Sequence, residues 1–337
     1  MGKLGIKSRR QAEKEAIEKI RESKDDEYPG LLTRWQPLNN AVGKVWRFGQ
    51  IISIPGLSGS GKSFIENMIR EDFVSPELNQ HMMDKKPYKV LNLTFEMASS
   101  DQIIRTLSSY MSVSYNQLLS YYGRISEDFF QQIREKAYEI DTDLMYYAEE
   151  PGDSGQILET VHDFAMNQFP DHNIVVTLDH LLLAELTDNE SENRLVDDVM
   201  RVARKIRKRY NALVILLDQL RDDIERPDRI NDIGQHYPKR SDIYGSKKVY
   251  IDSDCVIIPH RPSRLGINYY GTAEHPTQFR DGTDLVAMHV IKGRLTGIEG
   301  LIRFKNRFSE GTMEHIPEGQ TGDENQQQLS LEANPFE

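Results

Sequence analysis

Gly49-Gln50-Ile51-Ile52-Ser53-Ile54-Pro55-Gly56-Leu57-Ser58-Gly59-Ser60-Gly61-Lys62-Ser63, continued by Phe64-Ile65-Glu66-Asn67-Met68-Ile69-Arg70-Glu71, is the stretch that decides the fold. An apolar run stops at a glycine, a Gly/Ser-rich turn follows, and the pattern then becomes helical. The turn carries the complete G-x-x-x-x-G-K-[ST] spacing from Gly56 to Ser63 in its required strand, loop and helix setting. The glycines Gly56, Gly59 and Gly61 let the backbone wrap, so that its N–H groups, those of Ser58 and Ser60 included, point at a phosphate. The start of the following helix adds a dipole that favours anions. Lys62 is then expected to reach the β- and γ-phosphates, with the Ser63 hydroxyl on Mg²⁺.

Such a site needs a second carboxylate for the metal, at the end of a buried strand. Asp179 closes the apolar run 173–178. The alternative reading of Asp179 is a cap on the next helix. Hydrolysis also needs a base to orient water, and Glu96 follows the run 90–95; its alternative is a surface acid after a strand. Further strands are expected at 51–54, 144–147, 174–178, 213–217, 255–258, 285–291 and 301–304, alternating with longer helical patterns. That alternation predicts an α/β fold with a mostly parallel central sheet flanked by helices.

Composition divides the chain in three. Residues 1–29 are densely charged, with Ala12, Ala16, Ile17 and Ile20 as a narrow apolar stripe at helical spacing. Residues 30–308 hold the alternating pattern. Residues 309–337, rich in Gly, Glu and Gln, are expected to form an acidic, disordered tail.

The 337 residues suffice for a large α/β domain. No run approaches the roughly 18 apolar residues of a membrane span, and no apolar stretch follows the basic start, so a membrane protein and a secretory signal are not expected. The single cysteine, Cys255, excludes an internal disulfide or cysteine zinc cluster. With 42 Lys+Arg against 53 Asp+Glu the net charge is -11, so nucleic acid must be met by a local basic lining. His260, His275, His289 and His315 share no metal-ligand spacing.

Several ordered motifs carry a family resemblance. Phe95-Glu96-Met97, followed by Ala98 to Arg105, resembles the E-M…R motif after the second strand of DnaB-type hexameric replicative helicases. Leu217-Asp218-Gln219-Leu220 resembles their S-Q-L strand end. Ser241-Asp242, Tyr244-Gly245-Ser246 and the segment from Asp252 to Ile257 resemble their SD, GS and D-A-D stretch. Lys292-Gly293-Arg294, with Gly297, resembles their K-x-R-x-G. Over residues 30–308 the chain is therefore similar to the RecA-like P-loop ATPase domain of that superfamily, including the Twinkle and phage primase-helicase branches.

The resemblance implies an ATP-dependent helicase that encircles single-stranded DNA as a homo-oligomer, a hexamer, with a primase or a helicase loader as partner. It implies that Glu96 is the base for the attacking water and that Asp179 supports Mg²⁺. Gln219 would sense the γ-phosphate, while Lys292 and Arg294 would act on the adjacent protomer's ATP; an exposed hairpin charge pair is their alternative. It further implies channel loops at 184–193, which is acidic, and at 221–248, where Lys247 and Lys248 beside Gly245 and Ser246 are the candidate DNA contacts. A solvated loop is the alternative there.

The basic run from Arg201 to Arg209 is read as water-exposed cations at a helix end. Phe304 and Phe308 are candidates for stacking on adenine or for core positions. Asp218 and His180 depart from the family pattern. Only about 30 residues precede the motor segment, so that family's N-terminal domain is not expected; such a short motor suggests a phage or plasmid system working in the bacterial host cytoplasm. A RadA-like or UvsX-like recombination ATPase is the alternative.

Overall fold

The computed structural model describes residues 6–24, 30–85, 87–121, 123–181, 192–271, 276–278 and 285–317. In chain order the elements are α1 (Arg9–Lys24), β1 (Gly30–Leu31), α2 (Gln36–Val42), β2 (Trp46–Arg47), β3 (Ile51–Gly56), α3 (Lys62–Val74), α4 (Pro76–Lys85), β4 (Tyr88–Thr94), α5 (Ser99–Met111), α6 (Tyr115–Leu118) and α7 (Glu127–Glu139). Then follow β5 (Met145–Ala148), α8 (Ser154–Asp163), β6 (Asn173–Asp179), α9 (Glu192–Tyr210), β7 (Leu213–Gln219), α10 (Pro227–Ile230), α11 (Ser246–Asp252), β8 (Cys255–His260), β9 (Tyr269–Gly271), β10 (Pro276–Gln278), β11 (Leu285–Gly293), β12 (Gly300–Arg307) and β13 (Thr312–Ile316).

The interior strands β3, β4, β6, β7 and β8 are buried on both faces and read as apolar runs, which is why they were visible in the sequence, whereas β5, β12 and β13 are only partly buried. With β11 they form a nine-stranded sheet in the order β13-β12-β11-β8-β3-β7-β6-β4-β5. From β8 to β5 all neighbours are parallel, whereas β11, β12 and β13 are antiparallel. Alternation splits each strand between two cores. Ile52, Ile54, Val175, Ile215 and Leu217 pack under α2, α3 and α4. Ile51, Val176, Leu178, Val214 and Leu216 pack against α8, α9 and α11.

Three expectations change. The ordered sheet does not end at 308: β13 pairs with β12, and its Met313 is buried with the carbonyl accepting a hydrogen bond from the Trp35 indole. Residues 309–317 therefore belong to the sheet region; 318–337 lie outside the described residues. The strand expected at 285–291, which its place late in the domain before Lys292 makes edge-like in the sequence, is interior, between β8 and β12. And two cations of the basic run do not simply face water: Arg204 pairs with Asp252 at 3.2 Å and Arg207 with Asp254 at 2.9 Å, fastening α9 to the start of β8. The stripe on α1 is exposed, with Ile17 and Ile20 each 66% accessible.

Candidate nucleotide site

The parallel strands β3, β7, β6 and β4 end at one edge of the sheet, and the turn 56–61 leaves β3 there to start α3 at Lys62. Two glycines of this turn are sterically required. A Cβ on Gly56 would sit 2.6 Å from Ser60 Oγ and 2.9 Å from the Lys62 side chain; Gly61, at φ +92°, would place one 2.4 Å from the Phe308 ring. Ser60 and Lys62 are buried, while Ser58 and Gly59 form the exposed crown. Lys62 Nζ donates to the carbonyls of Gly56 at 2.8 Å and Leu57 at 3.3 Å. Burial lowers its pKa, against the opposing charges of Asp179, Glu96 and Asp218.

Asp179 ends β6 facing α3, and burial pushes its carboxyl up to about 7, with Glu66 adding to the shift and hydrogen bonding from Ser63 opposing it. Its Oδ1 is buried without a partner. A hydroxyl beside a carboxylate with an orphaned oxygen, next to a lysine, fits a divalent cation carried in with a polyphosphate; the Ser60 N–H, expected to point at a phosphate, instead donates to Leu57 O at 3.2 Å. Glu96 lies on the bend after β4, exposed, and the Phe95 N–H donates to the Asp179 carbonyl at 3.0 Å, so both acids come to the same place. Gln219 ends β7 in register with Gly56. The neighbouring Leu220 N–H donates to Gly56 O at 3.3 Å, and the Tyr244 N–H donates to Gln219 O at 2.9 Å.

Lys292 and Arg294 are not brought to this edge. Because β11 runs antiparallel, it delivers them to the opposite end of the sheet, where the Arg294 N–H reaches the Asp254 carbonyl and the Asp254 N–H reaches Ile51 O. From the level of Ile51 to Gly56 is about 16 Å of strand. Arg294 Nη1 donates to Asp254 Oδ1 at 2.7 Å and Nη2 to Ile251 O at 2.6 Å; Lys292 Nζ donates to the carbonyls of Tyr250 and, at 3.2 Å, Ile251.

Gly245 and Ser246 are not a free turn. Gly245, at φ +61°, lies against Val196 of α9 and precedes α11, whose first turn carries Lys247, exposed, and Lys248, half-buried. They stand three to four residues beyond Tyr244, the residue that holds the Gln219 carbonyl. The other predicted channel loop, 184–193, falls outside the described residues except at its helical end.

Residues 30–308 match the DnaB-like helicase C terminal domain. The chain belongs to this family. Two solved structures share the fold at 15% sequence identity and a TM-score of 0.71 each. One, an ATPase domain solved by itself, is matched over 90% of this chain and 98% of that chain. The other, a DnaB-like replicative helicase described with its interactions with primase, is matched over 94% of this chain and 68% of that one. No curated protein matches the sequence. Among the described residues no helix is long and apolar enough to cross a membrane.

On this DnaB-like frame the sequence reading missed several residues. His180, seen only as a departure, is buried beside Asp179 and hydrogen-bonded to the Gln219 side chain; burial and then Lys62 lower its pKa. Asp218 is 0% exposed, neither oxygen meets a donor in good geometry, and burial pushes it up to about 7. Of the two candidate aromatics, Phe304 is core, packed edge-on against Trp35. Phe308 instead covers Gly61 and Phe64, with the Arg261 guanidinium 5.3 Å over its ring and Arg261 Nη1 donating to Gly59 O at 3.3 Å. Only the departures at 180 and 218 left a sequence signal; Arg261 left none.

Proposed function

We propose that this DnaB-like domain is the ATP-hydrolysing motor of a ring, a hexamer, that moves along single-stranded DNA and unwinds duplex during replication. The observation that carries the reading is the meeting of Lys62, Ser63, Asp179, Glu96 and Gln219 at one sheet edge while Lys292 and Arg294 stand at the other. A cation pair that far from its own phosphate cradle suits a neighbour's nucleotide. The family match to helicases weighs against a recombination ATPase.

Lys62 turns from the Gly56 and Leu57 carbonyls to the β- and γ-phosphates of ATP. Ser63 and Asp179 would hold Mg²⁺, which when bound neutralises phosphate charge. Glu96 orients the attacking water and takes its proton. Gln219, held between the Gly56 carbonyl and Tyr244 through its strand, registers loss of the γ-phosphate and passes it to the Lys247-Lys248 turn. The neighbour's Lys292 and Arg294 stabilise the charge that develops on the γ-phosphoryl group. The exposed α1 stripe docks on the adjacent subunit; deletion of residues 1–29 should lower the assembled fraction seen by light scattering. A primase or helicase loader is the expected further partner.

The test uses the full chain with ATP, Mg²⁺ and a forked DNA. Strand displacement and hydrolysis are both expected for the native protein. Lys62→Ala should lose ATP binding and turnover together, while Glu96→Gln should bind ATP but lose hydrolysis by about 100-fold or more. Hydrolysis without strand displacement, or pairing of complementary strands instead, would replace the helicase reading.

A further inference from the structure

Among the described residues no hydrogen bond holds the Glu96 carboxylate, which feels the charges of Lys62 and His180, so what the structure fixes is the backbone bend that carries it. That backbone is clamped on both sides. Before it, the Phe95 N–H is bonded to the Asp179 carbonyl. After it, the Met97 carbonyl accepts from Thr94 Oγ1 at 2.5 Å and from Gln102 Nε2 at 3.5 Å, and Gln102 Nε2 also donates to Thr94 Oγ1.

The Gln102 amide, 6% exposed on α5, has a single satisfied orientation. Its Oε1 accepts from Arg70 Nη2 at 2.7 Å and from Asn92 Nδ2 at 2.8 Å, while its Nε2 faces the two acceptors just described. Reversal would set an NH₂ group against a guanidinium and leave four bonds broken. Each partner leads to another part of the site. Arg70 lies about two turns along α3 from Lys62 and is paired in the interior with Glu66 at 2.5 Å. Asn92 on β4 accepts from Thr177 Oγ1 at 2.7 Å, two residues before Asp179.

We infer that Gln102 and Thr94 are positioning residues that hold Glu96 in place against the P-loop helix and the Asp179 strand. The inference rests on Glu96 being the base. A fixed backbone is what an exposed acid needs if it is to orient water, since a displacement of about 1 Å in a reacting group can cost on the order of 100-fold in rate. The network also ties any shift of α3 on nucleotide binding to the Glu96 bend, through a chain of side chains that are all buried.

The experiment compares Thr94→Val, Thr94→Ser and Gln102→Glu in the full chain with ATP, Mg²⁺ and single-stranded DNA, against Glu96→Gln. Thr94→Val keeps the shape and removes the hydroxyl. It should lower kcat about 10- to 100-fold while KM and the affinity for a fluorescent ATP analogue stay within about 2-fold. Thr94→Ser should recover most of that loss. Gln102→Glu keeps acceptors for Arg70 and Asn92 but donates to Thr94 and Met97 only when protonated, so its kcat should rise relative to the native protein as pH falls. Thr94→Val should cost no further activity in the Glu96→Gln background.

Native kcat in Thr94→Val, with Glu96→Gln inactive, would overturn the positioning role alone. Equal losses of melting temperature, nucleotide affinity and kcat, without recovery in Thr94→Ser, would reduce the network to a folding role and overturn it as well. Substantial hydrolysis by Glu96→Gln would instead overturn the assignment of the base.

Discussion

Asp179, the last residue of β6, and Asp218, the last but one of β7, have the same shift, both carboxyls pushed up to about 7, yet their surroundings differ. Asp179 faces Ser63 and a cradle that can receive a cation. Asp218 points to the other face of β7, among the residues that pack with Leu216 and Leu220, and has no such outlet. A carboxyl whose folded pKa is raised is favoured in its protonated form, so it costs nothing below the unfolded value near 3.8 and its cost grows as pH rises to about 7. Replacing Asp218 by the neutral amide should therefore stabilise the protein increasingly across that window. Thermal melts of Asp218→Asn and the native chain should differ little at about pH 4 and by a few degrees in favour of the variant at about pH 8. A difference that does not change with pH would show that Asp218 does not titrate there. Its burial was not legible: the run Leu213-Val214-Ile215-Leu216-Leu217 announces a strand, but only β3 and β6 on either side decide that the acid after it is enclosed.

At the scale of elements, the short path from nucleotide to the candidate DNA contacts is the join between β7 and α11. Gln219 sits beside Gly56, its carbonyl is held by Tyr244, and α11 begins immediately after with Lys247 and Lys248 in its first turn. Two lysines at a helix start have no favourable interaction with its dipole, which leaves them available to phosphate. Phosphate contacts release counterions, so affinity for single-stranded DNA should fall steeply with salt. Lys247→Ala with Lys248→Ala should weaken binding and shallow the slope of log affinity against log salt by about 1 to 1.5, with nucleotide affinity unchanged. An unchanged slope in fluorescence-anisotropy titrations would remove these lysines from the channel. The sequence showed the lysines and the glycine but described a loop; the packing of Gly245 on Val196 makes it a helix N-terminus.

For the whole molecule, the direction of β11 determines what one subunit can do alone. Arg294 and the P-loop stand at opposite ends of the sheet, so in the proposed ring the Arg294 of one subunit would serve the P-loop of its neighbour. Arg294→Ala should bind ATP, assemble and hydrolyse about 1,000-fold more slowly. Mixed with Lys62→Ala, which is inactive for a different reason, it should regain part of the activity, because some interfaces then pair an intact P-loop with an intact Arg294. Absence of recovery at every mixing ratio, with subunit exchange shown separately, would confine Arg294 to its own chain, where Asp254 and Ile251 already hold it.

What the sequence determined by itself was whatever is contiguous. The P-loop is complete within Gly56 to Ser63, and the interior parallel strands are apolar runs because both their faces are covered, so the fold class and the acids at strand ends could be read from short windows. Tertiary structure decided the rest. The Gln102 to Arg70 bond joins residues 32 apart, and the extra strand at Thr312–Ile316 is recognisable only by its pairing with β12. The far placement of Lys292 and Arg294 follows from strand direction. Direction and neighbour order are properties of the assembled sheet, and an apolar run has the same composition whichever way it points.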